Sequence, residues 1–322
     1  MTDESARDIL ARLYPDFPTR RAGRIFTDTS EFMNIDHGDV IRLDGQHFLV
    51  LRDEVEQRFG IEDPKYWVKR CRVLETGGRK ILKLVFNETF VMNVGSLDVQ
   101  CYRSPHKESR ILELVRGDPR FMQGVTVPDD KRNAVRILDI VQGRRLDLVV
   151  QDIEADHKTY FHELFPDILE KFIESCEAIA FLHSRWEKHG DIRRDHLWTD
   201  HTTGRYRWID FDYAFDFREN PFGLDLFGLG NILVFLVGMR QHDTTSLPKS
   251  GLLDALPRPL EPEDFSIMWP TRLVNLRLVF PYIPEALNNV LLRYSAGSEV
   301  FYDSTSELIT DLRPALEAVR KA

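Results

Sequence analysis

Between Asp39 and about Val141 the chain runs in short stretches of alternating apolar and polar residues, broken by glycine-bearing turns. Beyond Phe165, apolar residues recur instead at helical spacing. Strands first and helices later specify an α+β chain with two lobes and a seam between them, not an alternating βαβ protein. The expected organisation is an extension over residues 1–38, a β-rich lobe with one helix over 39–141, and a helical lobe over 142–322. "DVIRLDGQHFLVLR" folds back at Asp44-Gly45 as a hairpin, and "YWVKRCRVL" and "RKILKLVF" form another across "ETGG". "SPHKESRILELVRGD" is a helix with Ser104 as cap, Pro105 in the first turn and Gly117 as stop. A short helix is expected within Glu4–Leu13, strand character around Leu197 and Trp208, and helices over Phe165–His183, Asp225–Met239, Pro284–Tyr294 and Ser304–Val319. "LPKSGLLDALPRPLEPEDF" is expected to be a long surface loop.

At 322 residues there is chain enough for two lobes and a sizeable core. A net charge of -9 argues against nucleic acid as a main partner, because a phosphate backbone requires a basic face. Cys71, Cys101 and Cys176 are scattered and form no CxxC pair, which suits reduced thiols in a cytoplasmic protein. The start, "MTDESARDIL", has no apolar signal core, and the longest apolar run, Leu224–Met239, is interrupted by Asp225 and Asn231, so no transmembrane segment is expected.

The chemistry concentrates in "HGDIRRDHLW" and "WIDFDYAF", which a hairpin turning at "DHTTGR" folds side by side. They supply two carboxylates, Asp191 and Asp210, each beside apolar residues. Phosphoryl transfer needs one carboxylate facing an acceptor hydroxyl, another on a metal, and a cation on the remaining phosphates. Either aspartate alone would serve equally well as a turn or cap residue.

From about Asp39 to Met239 the order of motifs resembles the protein-kinase-like superfamily. "FLHSRWEKHGDIRRDHL" resembles the end of the αE helix and the catalytic loop H-R-D-L-x-x-x-N, its "HGD" being nearer the aminoglycoside and choline kinases. "IDFDYAF" stands where D-F-G would be, and "TGGRKILK" resembles the hairpin that delivers the V-A-I-K lysine, here Lys83. "HKESRILELV" resembles the αC helix and sets Glu108 opposite Lys83, with Glu113 as a rival. "VRILDIVQGRRL" resembles the strand and hinge whose backbone, around Asp139 to Val141, would hydrogen-bond adenine. "GLDLFGLGNIL" resembles αF, whose aspartate, here Asp225, braces the catalytic loop. The resemblance implies an α+β bilobal fold with a β-rich N-lobe carrying one αC-type helix, and a helical C-lobe. It also implies ATP and a divalent cation, Mg²⁺ or Mn²⁺, as cofactors. Lys83 has the simpler reading of a strand-edge lysine, Glu108 of a solvated helix face, and Asp225 of an N-cap.

Three departures bear on activity. His196 occupies the asparagine position beside the metal, a place where lipopolysaccharide core kinases also carry histidine, and imidazole favours Mn²⁺ over Mg²⁺. The phosphate-covering loop, "RDEVEQRFGIEDPKYW", has Gly60 as its one glycine. The segment from Asp210 to Asp225 is short and lacks A-P-E, which points away from an ordinary peptide platform. Arg193 lies two residues after Asp191, where Ser/Thr protein kinases carry a lysine that touches the γ-phosphate, so the resemblance is to an atypical bacterial-type Ser/Thr kinase and a protein Ser/Thr acceptor is favoured slightly over a small molecule or sugar. The expected site is therefore Asp191 and Arg193 at the reacting group, Asp210 and His196 on the metal, and Lys83, Glu108, Asp139 and Val141 on ATP. The alternative is a pseudokinase, a nucleotide-binding or scaffold module.

Overall fold

The computed structural model describes residues 4–58, 61–94 and 97–322, so Gly60 lies outside the described residues. The chain divides into two units, one of Met1–Glu88 and Arg103–Val141, the other of Thr89–Tyr102 and Gln142–Ala322.

The first unit begins with α1 (Ala6–Leu13), β1 (Ile25–Phe26), β2 (Val40–Leu43), β3 (Gln46–Arg58), β4 (Ile61–Val73) and β5 (Arg79–Lys83). The chain then leaves it through a hairpin, β6 (Thr89–Val94) and β7 (Leu97–Arg103). It returns as α2 (Pro105–Leu114), β8 (Gly124–Pro128) and β9 (Ala134–Asp139). Seven strands form one sheet in the order β1-β2-β3-β4-β5-β9-β8, antiparallel except for β1 against β2. Asp44 and Gly45 turn β2 into β3 with left-handed φ of 46° and 75°, the backbone that matches strand twist in a two-residue hairpin.

Alternation along these strands fills two cores, because successive side chains leave opposite faces of a sheet. Ile41 lies opposite Phe48 and both enter one cluster with Val50, Cys71, Val73, Leu82 and Val135. Val40 lies opposite Leu49, and both enter the other with Ile9, Leu10 and Phe17. The residues before 39, expected as an extension, thus supply the cover for the second face of the sheet. α1 is fixed at its start by a capping box in which Ser5 and Asp8 bond each other's backbone amides. α2 starts as expected, with the Ser104 side chain accepting from the amide of Lys107 and Pro105 in the first turn.

In the second unit, β6 and β7 form a three-stranded sheet with β13 (Tyr213–Asp216), and β10 (Gly143–Arg145), β11 (Leu197–Asp200) and β12 (Tyr206–Trp208) form another. The helices are α3 (Leu146–Gln151), α4 (His157–Thr159), α5 (Phe165–Ser184), α6 (Gly223–Val237), α7 (Leu247–Ser250), α8 (Glu285–Leu292) and α9 (Thr305–Lys321). α6 is buried along almost its whole circumference, as a helix with no polar face must be. α9 packs on α5 and α8. Among the described residues no helix is long and apolar enough to cross a membrane. The three cysteines are free and buried.

The stretch expected to be one long loop is more ordered than its prolines suggest. It holds α7 and further helical turns at Leu252–Ala255 and Pro262–Asp264. Its organiser is Asp264, 2% exposed, which accepts a two-armed bond from Arg258 (2.7 Å on each arm) and one from Asn275 at 2.8 Å.

His157 ties α4 to the rest of the second unit. One ring nitrogen meets the Val237 carbonyl at 2.8 Å, the other the Tyr282 hydroxyl at 2.6 Å, and the ring stacks on Phe280. Burial pushes its pKa down from 6.5 to about 4, only partly offset by the Val237 carbonyl. The unfolded chain therefore binds the proton first, and stability falls as pH drops from 6.5 towards 4. Urea unfolding across that range should show the loss, with a ceiling of about 1.4 kcal/mol per unit of depression, and His157→Gln should flatten it. Separately, Leu10→Ala should destabilise the first unit by about 2–5 kcal/mol, the usual cost of emptying a core position. A neutral result would mean that α1 is an appendage.

Candidate functional site

In the first unit, Lys83 on β5 and Arg136 on β9 are directly opposed across the sheet. Like charges so placed repel, and the carboxylate of Glu108, from the first turn of α2, lies against both. Lys83 Nζ is 2.9 Å from Oε1 and Arg136 Nε 2.9 Å from Oε2. All three side chains are buried, those of Glu108 and Arg136 completely. Arg136 also donates to the carbonyls of Ala134 (2.6 Å) and Leu84 (3.2 Å), which fixes its guanidinium independently of the carboxylate. Glu113, the rival, points to solvent and pairs with Arg116. Asp139 pairs with Lys80 at the end of β9, and its amide donates to the Gln123 carbonyl at 2.9 Å. Val141 is the last residue of this unit.

In the second unit, the loop between α5 and β11 is organised from below. Asp225 is wholly buried in the first turn of α6. Its two oxygens accept from the backbone amides of His189 (2.7 Å) and Gly190 (2.8 Å). His183 reaches the same carboxylate at 3.0 Å and is oriented by the Thr305 hydroxyl at 2.9 Å. Gly190 has φ +86°, a conformation glycine adopts freely, and it delivers Asp191 immediately afterwards. α6 comes so close beneath the loop that a Cβ on Gly228 would stand 2.6 Å from the Ile192 carbonyl oxygen.

Asp191, Arg193, His196 and Asp210 converge here. Arg193 lies 3.6 Å through Nε from Asp191, donates through Nη2 to Asp195 at 3.0 Å, and donates to His196 Nε2 at 2.9 Å. It therefore binds the loop's own acids. His196 is 5% exposed, and its Nδ1 meets the Asp191 carbonyl at 2.8 Å. A carbonyl on one side and a guanidinium on the other assign a neutral ring with its proton on Nδ1 and the Nε2 lone pair turned to Arg193. That nitrogen is 3.7 Å from Asp210 Oδ2.

Burial raises the pKa of Asp191, and Asp210 and Asp212 raise it further, outweighing the lowering by His196 and Arg193. Asp195 goes the other way. Burial would raise it, but His196, Arg193 and Arg145 outweigh that and leave it lowered. Asp210 has φ +65°, which aspartate tolerates better than most residues. The carboxylates of Asp210 and Asp212 come within 4.8 Å of each other, a hard-oxygen pair that fits a divalent cation. For His196 to join them, Arg193 must release Nε2.

Sequence reasoning missed Arg136, Asp195 and Asp212. Arg136 was visible as a lone charge inside the apolar run "AVRILD", and Asp212 as the second acid of "DFD". It also missed the path of residues 89–102. β7 pairs with β13, so the segment just after Asp212 is a strand, and Phe90 meets Tyr213 edge to face.

No protein-family model and no curated protein matches this chain. Among solved structures, the kinase domain of Mycobacterium tuberculosis PknI is similar at 16% sequence identity and a TM-score of 0.48, over 85% of this chain and 97% of that one. The chain has a mixed α+β fold.

Arg136→Met should destabilise the first unit by about 3–5 kcal/mol, the usual cost of breaking a buried pair from one side. Gly228→Ala should cost about 1–3 kcal/mol by overpacking, and should also broaden the NMR resonances of residues 189–192. Unchanged stability in both would remove the geometric case for a built site.

Proposed function

We propose that the chain is an ATP-dependent phosphotransferase that moves the γ-phosphate to a hydroxyl acceptor. The observation that carries this reading is the buried cluster of two cations on one carboxylate, Lys83 and Arg136 with Glu108. A structural pair needs only one cation. With Arg136 also holding Glu108, Lys83 would be the cation that meets the α- and β-phosphates.

Asp191 orients or deprotonates the acceptor hydroxyl, and its raised pKa brings it nearer the range where a carboxylate works as a base. Asp210 and Asp212 hold the divalent cation, with His196 as a further ligand once Arg193 turns away. The cation supplies neutralisation of charge on the transferring phosphoryl group. Arg193, freed from His196, stabilises that group. The backbone from Asp139 to Val141 carries the adenine, through groups other than the Asp139 amide already given to Gln123. A protein Ser/Thr hydroxyl is the first acceptor, a small molecule or sugar the second.

The Arg193–His196 bond also favours a second reading, a pseudokinase that binds nucleotide without transferring phosphate, because it turns two of the expected site residues onto each other.

γ-Labelled ATP offered with Mg²⁺ and with Mn²⁺ separates the two readings. Transfer or release of label is expected, falling by about 10²–10⁴ in Asp191→Ala. Mn²⁺ should serve at least as well as Mg²⁺, with His196→Asn shifting the preference towards Mg²⁺. Nucleotide binding by calorimetry with no label moved under either metal would establish the pseudokinase.

A further inference from the structure

Midway along α6, Asn231 faces Arg272, whose Nη1 donates to its side-chain oxygen. The Arg272 guanidinium lies 4.5 Å from the centre of the Trp269 ring, and its Nε is buried without a hydrogen-bond partner. Among the described residues no carboxylate lies within ion-pair distance of it. The nearest acid by chain pairing is Asp243, across an isolated bridge, and that carboxylate is taken by Gln241, Thr245 and Ser246. Burial, with Arg194 adding to it, lowers the pKa of Arg272 to about 10. It remains a cation at neutral pH, short of counter-charge.

A second group in the same place has the same deficit. Tyr294 is 3% exposed, and its hydroxyl is buried with no partner. Both residues line one narrow cleft, together with Asn231, Ser266 and Trp269. One turn further along α6, the Arg194 guanidinium sits 4.7 Å over Phe235. No carboxylate among the described residues lies within ion-pair distance of Arg194 either.

Packing alone accounts for the Arg272–Trp269 stack but not for the rest. Each unsatisfied buried donor costs about 1–3 kcal/mol, and two of them lie on this one cleft. An oxyanion answers both, since a guanidinium and a hydroxyl can each donate to it and it supplies the missing negative charge.

We propose that this cleft is an oxyanion-binding site for the terminal phosphate or carboxylate of a ligand, with Arg272 Nε and the Tyr294 hydroxyl as donors and Arg194 as flanking charge. Arg194 belongs to the loop that carries Asp191, so an acceptor bearing such a group would dock beside that loop. This last step rests on the phosphotransfer reading, whereas the anion site does not.

The test is titration of the full chain with inorganic phosphate and, separately, acetate at constant ionic strength. It is read by the Arg272 Nε–Hε NMR signal and by the thermal midpoint. A saturable response to at least one is expected, the stronger of the two identifying the ligand class. The thermal response should be lost in Arg272→Gln, weakened at least threefold in Tyr294→Phe, and kept in Lys83→Met, which excludes phosphate held at the nucleotide site. If Arg272→Gln does not fold, Tyr294→Phe and Arg272→Lys decide by the same criterion. No saturable response in the wild type, or equal responses in the wild type and the cleft variants, overturns the site. Anion binding without any γ-phosphate transfer would sink the phosphotransfer reading and leave the site standing.

Discussion

The carboxylate of Asp225 is the point on which the second unit's chemistry rests. A loop of irregular path cannot pair its own amides in regular structure, and amides left bare in a buried place are expensive. Asp225 accepts two of them from His189 and Gly190, and His183 meets the same carboxylate while being held by Thr305 from α9. The loop's shape thus depends on a helix far from it in sequence. Asp191, Arg193 and His196 take their positions from that anchor, and the nearness of Gly228 to Ile192 keeps the anchor short.

The first unit solves a similar problem with opposite charge. Lys83 and Arg136 face each other across two strands and would drive the sheet apart without Glu108 between them. Breaking either arm leaves a buried ion without its partner, so the three behave as one element.

Much of this was legible in the chain itself. Period-two alternation, the Asp44-Gly45 turn and the Ser104-Pro105 start gave the strands and the helix of the first unit, because local geometry and burial agree there. Glu108 could be chosen as partner of Lys83 only by resemblance, since Glu113 lies on the same helix and spacing does not tell a buried face from a wet one. Arg193 was read as aimed at phosphate, and the structure turns it onto Asp191, Asp195 and His196, contacts that depend on how the loop folds. The pairing of Asp264 with Arg258 was hidden because prolines nearby suggested irregular chain. Longest in range, and least visible, was the excursion of residues 89–102: a hairpin signals its own turn but not the strand it will join.

That excursion makes the two units inseparable by any single cut. A fragment beginning at Gln142 would contain every helix of the second unit yet lack the two strands against which Tyr213–Asp216 pairs. The stretch following the two acids of "DFD" would then have no edge to join. During synthesis the hairpin emerges more than a hundred residues ahead of its partner, so it must wait until that distant strand leaves the ribosome. A gene split or fused at the apparent lobe boundary would separate the candidate metal site from its support.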